Sequence, residues 1–235
     1  MKLTSQQIDQ LYLFTRQHYV EWYDLQSELV DHIANAIEKQ IEENPNRAFE
    51  EALKIDFKKF GVVGFMDVVE KRQAVLGKKY NSLVWQHFKD FFGIPKIVLT
   101  IAMTLLLFCF LKISWFNEWI LISLYFMLIA FSFYEIYKSY KSQKIKKEKN
   151  EKRWLFEEII NQYGSFSGAI IFPFNYFIRI FNQSEKYLDN DIWIFSLSFF
   201  LVVVTLLFFI IYKIIPSKAT QYLEATYPEY KLENV

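Results

Sequence analysis

Three long apolar runs leave this chain few ways to fold. Ile94 to about Trp115 reads IPKIVLTIAMTLLLFCFLKISW, Trp119 to Tyr137 reads WILISLYFMLIAFSFYEIY, and Ile192 to Ile215 reads IWIFSLSFFLVVVTLLFFIIYKII. Twenty helical residues cover about 30 Å, the thickness of a bilayer's hydrocarbon core. In lipid, a helix satisfies every backbone polar group internally. Each run is therefore expected to be a spanning helix. The first two, separated only by Phe116, Asn117 and Glu118, are expected to form an antiparallel hairpin, and Pro216 is expected to close the last. Aromatic rings near the ends of the runs suit the headgroup level.

A fourth stretch, Phe166 to Phe181 (FSGAIIFPFNYFIRIF), is short for a span and carries Pro173, Asn175 and Arg179. It can cross if Arg179 snorkels outward, or it can lie re-entrant or along the surface. Charge favours crossing. The segment 138–153 holds Lys138, Lys141, Lys144, Lys146, Lys147, Lys149, Lys152 and Arg153, whereas the turn at 116–118 has no basic residue. Positive residues mark the cytoplasmic side, so this basic loop and both chain ends are expected inside, with four spans between them. The start, MKLTSQQIDQLYLF, lacks a secretory signal pattern and is expected to stay where it is made. The fold class expected is all-α. A cytoplasmic helical domain occupies 1–92, the transmembrane region with its basic loop 93–216, and a cytoplasmic tail 217–235.

The charged fraction, 23%, is ordinary for a soluble protein despite 53% hydrophobic residues, so polar and apolar residues are segregated along the chain. A net charge of +1 gives no electrostatic case for nucleic acid. The single cysteine, Cys109, excludes an intrachain disulfide and is expected to be a buried small side chain.

Within 1–92, Thr4 and Gln7 form a capping-box pattern, and Ile8, Leu11, Tyr12, Thr15 and Tyr19 follow at helical spacing. Asp24 is placed to cap a second helix that runs to about Glu42, before Asn44-Pro45-Asn46. Asn46 is placed to cap a third, with Phe49, Leu53, Phe57 and Phe60 inward and Gly61 as its stop. A fourth starts near Gly64 and a fifth runs from Asn81 through Trp85 and Phe88 to Phe92. On the second helix, Leu25, Leu29, Ile33, Ala36 and Ile37 share one side, while Asp24, Glu28, Asp31, Asn35, Glu38 and Glu42 form a stripe on the other. His32 falls at the border.

Such a stripe reads as a solvated face rather than an acid/base pair, which needs carboxylates in a cleft with separated pKa values. A metal at Glu28 and His32 would need further ligands, and only His18 and His87 remain as imidazoles, so no metal or cofactor is expected. The stripe, at Asp24, Glu28, Asp31 and His32, is instead the expected protein-binding face. Lys141, Lys144, Lys146, Lys147 and Lys149 are the expected contacts to anionic lipid headgroups or to a partner. Gly164 and Gly168 are small enough for close helix packing.

The order Glu28-Leu29-Val30-Asp31-His32-Ile33, Phe49-Glu50-Glu51-Ala52-Leu53, Phe60-Gly61 and Phe65-Met66-Asp67-Val68-Val69 resembles the HAAS-type helical signalling domain of bacterial membrane proteins, over about residues 20–76. Where that family carries Leu-Gly-Asp-Pro, this chain reads Phe60-Gly61-Val62-Val63. The resemblance implies a domain that precedes membrane helices and serves regulation or interaction in a bacterial inner membrane, without catalytic residues. No phosphate loop, nucleophile elbow, His-Glu-x-x-His or Cys-x-x-Cys pattern occurs. The expected function is a non-catalytic regulatory or assembly protein. The alternatives are a structural subunit of a larger membrane complex, or a membrane enzyme centred on Glu28, Asp31 and His32.

Overall fold

The computed structural model describes residues 2–113, 117–149, 151–162 and 190–233, and these contain helices and no strand. The helices are α1 (Ser5–Gln17), α2 (Tyr23–Glu43), α3 (Phe49–Lys58), α4 (Met66–Phe92), α5 (Lys96–Ile113), α6 (Asn117–Glu148) and α7 (Leu155–Asn161). They continue with α8 (Asp191–Ser217), α9 (Ala219–Thr226) and α10 (Pro228–Glu233).

The head of the molecule is built from α1 to α3 and the start of α4. Thr4 accepts from Gln7 N–H while the Gln7 side chain receives Thr4 N–H, so the capping box forms as expected. Helix α1 stops at Gln17, before Tyr19, whose φ of 67° takes the chain out of the helical region. The turn leaves the Val20 carbonyl without a helical partner, and the buried Gln26 side chain donates to it at 2.5 Å. Leu25, Leu29, Val30, Ile33 and Ile37 of α2 pack on Leu11, Ala52, Leu53, Phe65 and Val69. Ala36 is only half-buried. Gly61 ends the α3 segment at φ 75°; Gly64, at φ 62°, lets the chain pass beside the Phe57 ring. Neither Asp24 nor Asn46 caps its own helix: the N-cap residues are Trp22 and Ala48, with no side-chain bond at either.

The expected fourth and fifth helices are one, α4, because nothing between Gly77 and Asn81 interrupts hydrogen bonding and Gly77 alone does not break a helix. Its inner stripe, Val69, Leu76, Tyr80, Val84 and Phe91, serves two cores in turn. Val69 belongs to the head, whereas Leu76, Tyr80, Val84 and Phe91 pack with Trp154 to Ile160, the second half of α8, Leu223 and Tyr227.

Helices α5, α6 and α8 are long and apolar enough to cross a membrane. Their outer faces expose Leu99, Leu106, Phe110, Phe126, Met127 and Phe133, a continuous apolar surface that suits lipid rather than water. Cys109 is on that surface too, so it is not a core residue; α5 is covered on one side only. Thr104, Ser123, Ser132, Ser198 and Thr205 each donate to a carbonyl three or four residues earlier on their own helix, and Thr100 donates to the Phe91 carbonyl of α4 at 3.1 Å, which removes the cost of their hydroxyls.

Register is fixed at both ends. Lys112 pairs with Asp191 at 2.6 Å and Phe108 meets Phe195 at 5.9 Å, so α5 and α8 are antiparallel and Lys96 falls level with Leu207. Glu135 pairs with Lys213 at 2.6 Å and Phe131 meets Tyr212 at 6.1 Å, so α6 and α8 run in the same direction. Pro216 does not end α8. The helix takes a π-turn over Ile210–Ile214 just before it, a register change that accommodates the missing N–H, and continues to Ser217.

Candidate functional site

The acidic face of α2 is exposed at Glu28, Asp31, Asn35 and Glu42. Glu38 is partly covered and accepts Leu3 N–H at 2.9 Å. His32 is exposed, with its ring edge-on to Phe60 at 6.3 Å. Asp24 departs from the stripe. It is buried, because the first turn of α2 is covered by α7 and by the chain end.

Asp24 is the centre of a polar cluster that sequence periodicity does not reveal. Its Oδ1 accepts Leu155 N–H at 3.1 Å, so the carboxylate caps α7 rather than its own helix. The Tyr227 hydroxyl accepts Phe156 N–H at 3.3 Å and lies close enough to Asp24 for each group to perturb the other. Burial raises the Asp24 pKa; the Tyr227 hydroxyl, the Leu155 N–H and the more distant Arg72 oppose this without cancelling it. Burial, then the Asp24 charge, holds the Tyr227 phenol firmly protonated.

Around the cluster, Trp22 Nε1 donates to Glu158 at 2.8 Å and Tyr23 N–H donates to the Arg153 carbonyl at 2.8 Å. Arg153 bridges Glu158, at 2.6 Å, and Glu21. Trp154 is 3% exposed, its ring 5.4 Å from Tyr23, 4.9 Å from Tyr227 and 5.3 Å from Tyr230. The head is thus clamped to α7 and to the tail, which is folded rather than loose. The sequence signal that marks this junction is a run of aromatics, Tyr222, Tyr227 and Tyr230, in a segment otherwise polar.

The basic segment is a loop only beyond Glu148: residues 138–148 are the end of α6, and Lys149, Lys152 and Arg153 belong to the link to α7. Lys141, Lys144, Lys147 and Lys149 are exposed. Lys146 pairs with Glu157, and the Lys152 ammonium lies 3.8 Å from the centre of the Tyr23 ring. The acids met by this segment are therefore Glu157, Glu158 and Glu21, not the stripe on α2. Glu135, one turn before Lys138 on α6, pairs with Lys213 of α8 and is buried there.

The remaining imidazoles are engaged separately. His18 Nδ1 is 2.8 Å from the Phe14 carbonyl and its ring stacks among Phe14 and Phe57. His87 Nε2 is 2.7 Å from the Tyr222 hydroxyl; burial, then Lys218, lowers its pKa. Among the described residues no group of three or more His, Cys, Asp or Glu is placed to hold a metal ion. Gly164, Gly168 and the segment 166–181 lie outside the described residues. Comparison of this chain with protein-family models, with curated proteins and with solved structures finds no match.

Proposed function

We propose that this chain is a non-catalytic regulatory or assembly protein of a bacterial inner membrane, with four spans, both termini cytoplasmic and a helical head that recruits a protein partner. The observation that carries this reading is α4: one unbroken helix leaves the core of the head at Val69 and enters the core of the membrane-proximal bundle at Leu76. A partner bound to the head therefore acts on the membrane helices through packed side chains rather than through a flexible tether.

Two contacts mark the two ends of the bundle. Asn161 lies against Ser139, its carbonyl accepting the Ser139 hydroxyl at 2.8 Å, on the side of the bundle where the head is attached. Asp191 lies against Lys112 at the opposite end. The four-span reading itself rests on the positive-inside argument.

Down α8 from Asp191, 30 Å of hydrocarbon extends to about Ile211. The Glu135–Lys213 pair is then at the membrane edge, and Lys138 and Lys141 are the α6 lysines nearest the anionic headgroups. Glu28, Asp31 and His32 form the partner face, since neither core covers them. The double variant Glu28→Lys, Asp31→Lys is expected to lower recovery of the partner from native membranes at least tenfold in quantitative affinity purification, with folding unchanged because both side chains are exposed. Unchanged recovery contradicts this assignment of the face.

A further inference from the structure

Between the end of α6 and the start of α7 is a cleft of about 240 Å³, which adjoins a second of about 700 Å³ between this region and the head. Lys147, Lys152 and Arg153 line both. The charges do not cancel, Arg16 and Glu151 of the second cleft being equal and opposite. Lys146 is matched by Glu157, and Arg153 by Glu158 and Glu21. Lys144 and Lys147, three residues apart and so on one face of α6, also line the first cleft, and neither has an ion-pair partner among the described residues. Lys152 is directed onto the Tyr23 ring at its rim. The phenols of Tyr140 and Tyr12, one in each cleft, offer neutral donors beside these cations. Burial raises the Tyr12 pKa, so it keeps its proton near neutral pH.

Two uncompensated ammonium groups beside a recess with phenolic donors suit a compact oxyanion of charge −2 or more. Depth decides where that anion comes from. Lys144 and Lys147 lie nine and twelve residues beyond Glu135 on the same helix, about 13 and 18 Å along its axis. Headgroups occupy only about 5–8 Å outside the hydrocarbon, and a typical helix tilt of about 20° shortens the distance by less than a tenth. We propose that this cleft binds a small soluble phosphorylated anion from the aqueous side, with Lys144 and Lys147 as the principal ligands of its phosphate. The site touches α6, α7 and the head together, so occupancy strengthens the clamp between them. Its location in water rests on the membrane reading above; its charge and shape do not.

The test is titration of inorganic pyrophosphate into the purified full-length protein, followed by calorimetry in neutral detergent and in nanodiscs of either zwitterionic or phosphatidylglycerol-rich lipid. Saturable binding is expected in all three. The double variant Lys144→Gln, Lys147→Gln is expected to weaken it at least tenfold, and Lys141→Gln, Lys149→Gln to leave it within twofold, since those two do not line the cleft. The arginine double variant, Lys144→Arg, Lys147→Arg, retains binding if charge in the cleft is the cause. No binding to the wild type, or equal losses in both glutamine variants, overturns the proposal. Binding abolished only in phosphatidylglycerol-rich discs overturns the soluble source and assigns the site to lipid. None of these variants touches Glu28 or Asp31, so a negative result here leaves the partner face standing.

Discussion

Replacing Trp154 by alanine is expected to destabilise the junction between head and bundle by about 3–5 kcal/mol, the usual cost of deleting a large buried aromatic side chain. Trp154 is 3% exposed and holds Tyr23 from the head against Tyr227 and Tyr230 from the tail. Removing it opens a cavity on a seam where head, α7 and tail meet. Leu25, Leu29 and Ile33 belong to a different cluster, with Leu11, Leu53 and Phe65, so the head keeps its own core. Hydrogen exchange should therefore show amides of α7 and α9 losing protection while those of Leu25 to Ile37 keep theirs. Uniform loss across both sets would mean that the two cores are a single cooperative unit.

Asp24 should respond to pH in the sense opposite to a surface carboxylate. Its folded-state pKa is raised above the ordinary 3.8, mainly by burial. The folded state then holds the proton more tightly than the unfolded chain, so the stability contributed by Asp24 is fully present below about 3.8 and is lost as pH rises through the folded value. Asp24→Asn keeps the acceptor for Leu155 N–H and removes the titration. Compared with wild type, it should gain stability as pH is raised from 4 to 7. Asp24→Ala removes the acceptor as well as the titration, leaving Leu155 N–H unmet, and should be about 1–3 kcal/mol less stable than Asp24→Asn at either pH. Thermal unfolding of the three proteins in detergent at both pH values separates the effects. A wild-type protein that becomes more stable relative to Asp24→Asn as pH rises would show that the carboxylate is stabilised as an anion, contrary to its burial.

The features legible in the sequence are those written in a local code. The three apolar runs, the capping box at Thr4, the inward stripe of α2 apart from Ala36 and the glycine after Phe60 depend on residues close in sequence, and each is found, although Pro216 does not close the third run. The features that were not legible are long-range. Asp24 has the right residue type for a cap, but the helix it caps begins 131 residues later, at Leu155. The two helices expected from Gly64 and from Asn81 are one, whose buried stripe changes packing partner between Val69 and Leu76. Lysines mark membrane boundaries and so suggest a loop, yet Lys favours helix well enough for α6 to run on to Glu148. In the tail, Tyr227 looks like any exposed residue until Trp154 and Asp24 are brought to it.

The layout of head, basic helix end and tail on one side of the membrane underlies every functional statement above. It is tested most directly by labelling single cysteines, introduced after Cys109→Ala, with a membrane-impermeant maleimide in intact and in permeabilised cells. Asp31→Cys, Lys147→Cys and Glu229→Cys occupy exposed positions on the head side, and Asn190→Cys an exposed position at the far end of α8. The account predicts that the first three react only after permeabilisation and that Asn190→Cys reacts in intact cells. Labelling of Asp31→Cys and Lys147→Cys from opposite sides, or of Asn190→Cys from the same side as Asp31→Cys, would contradict it.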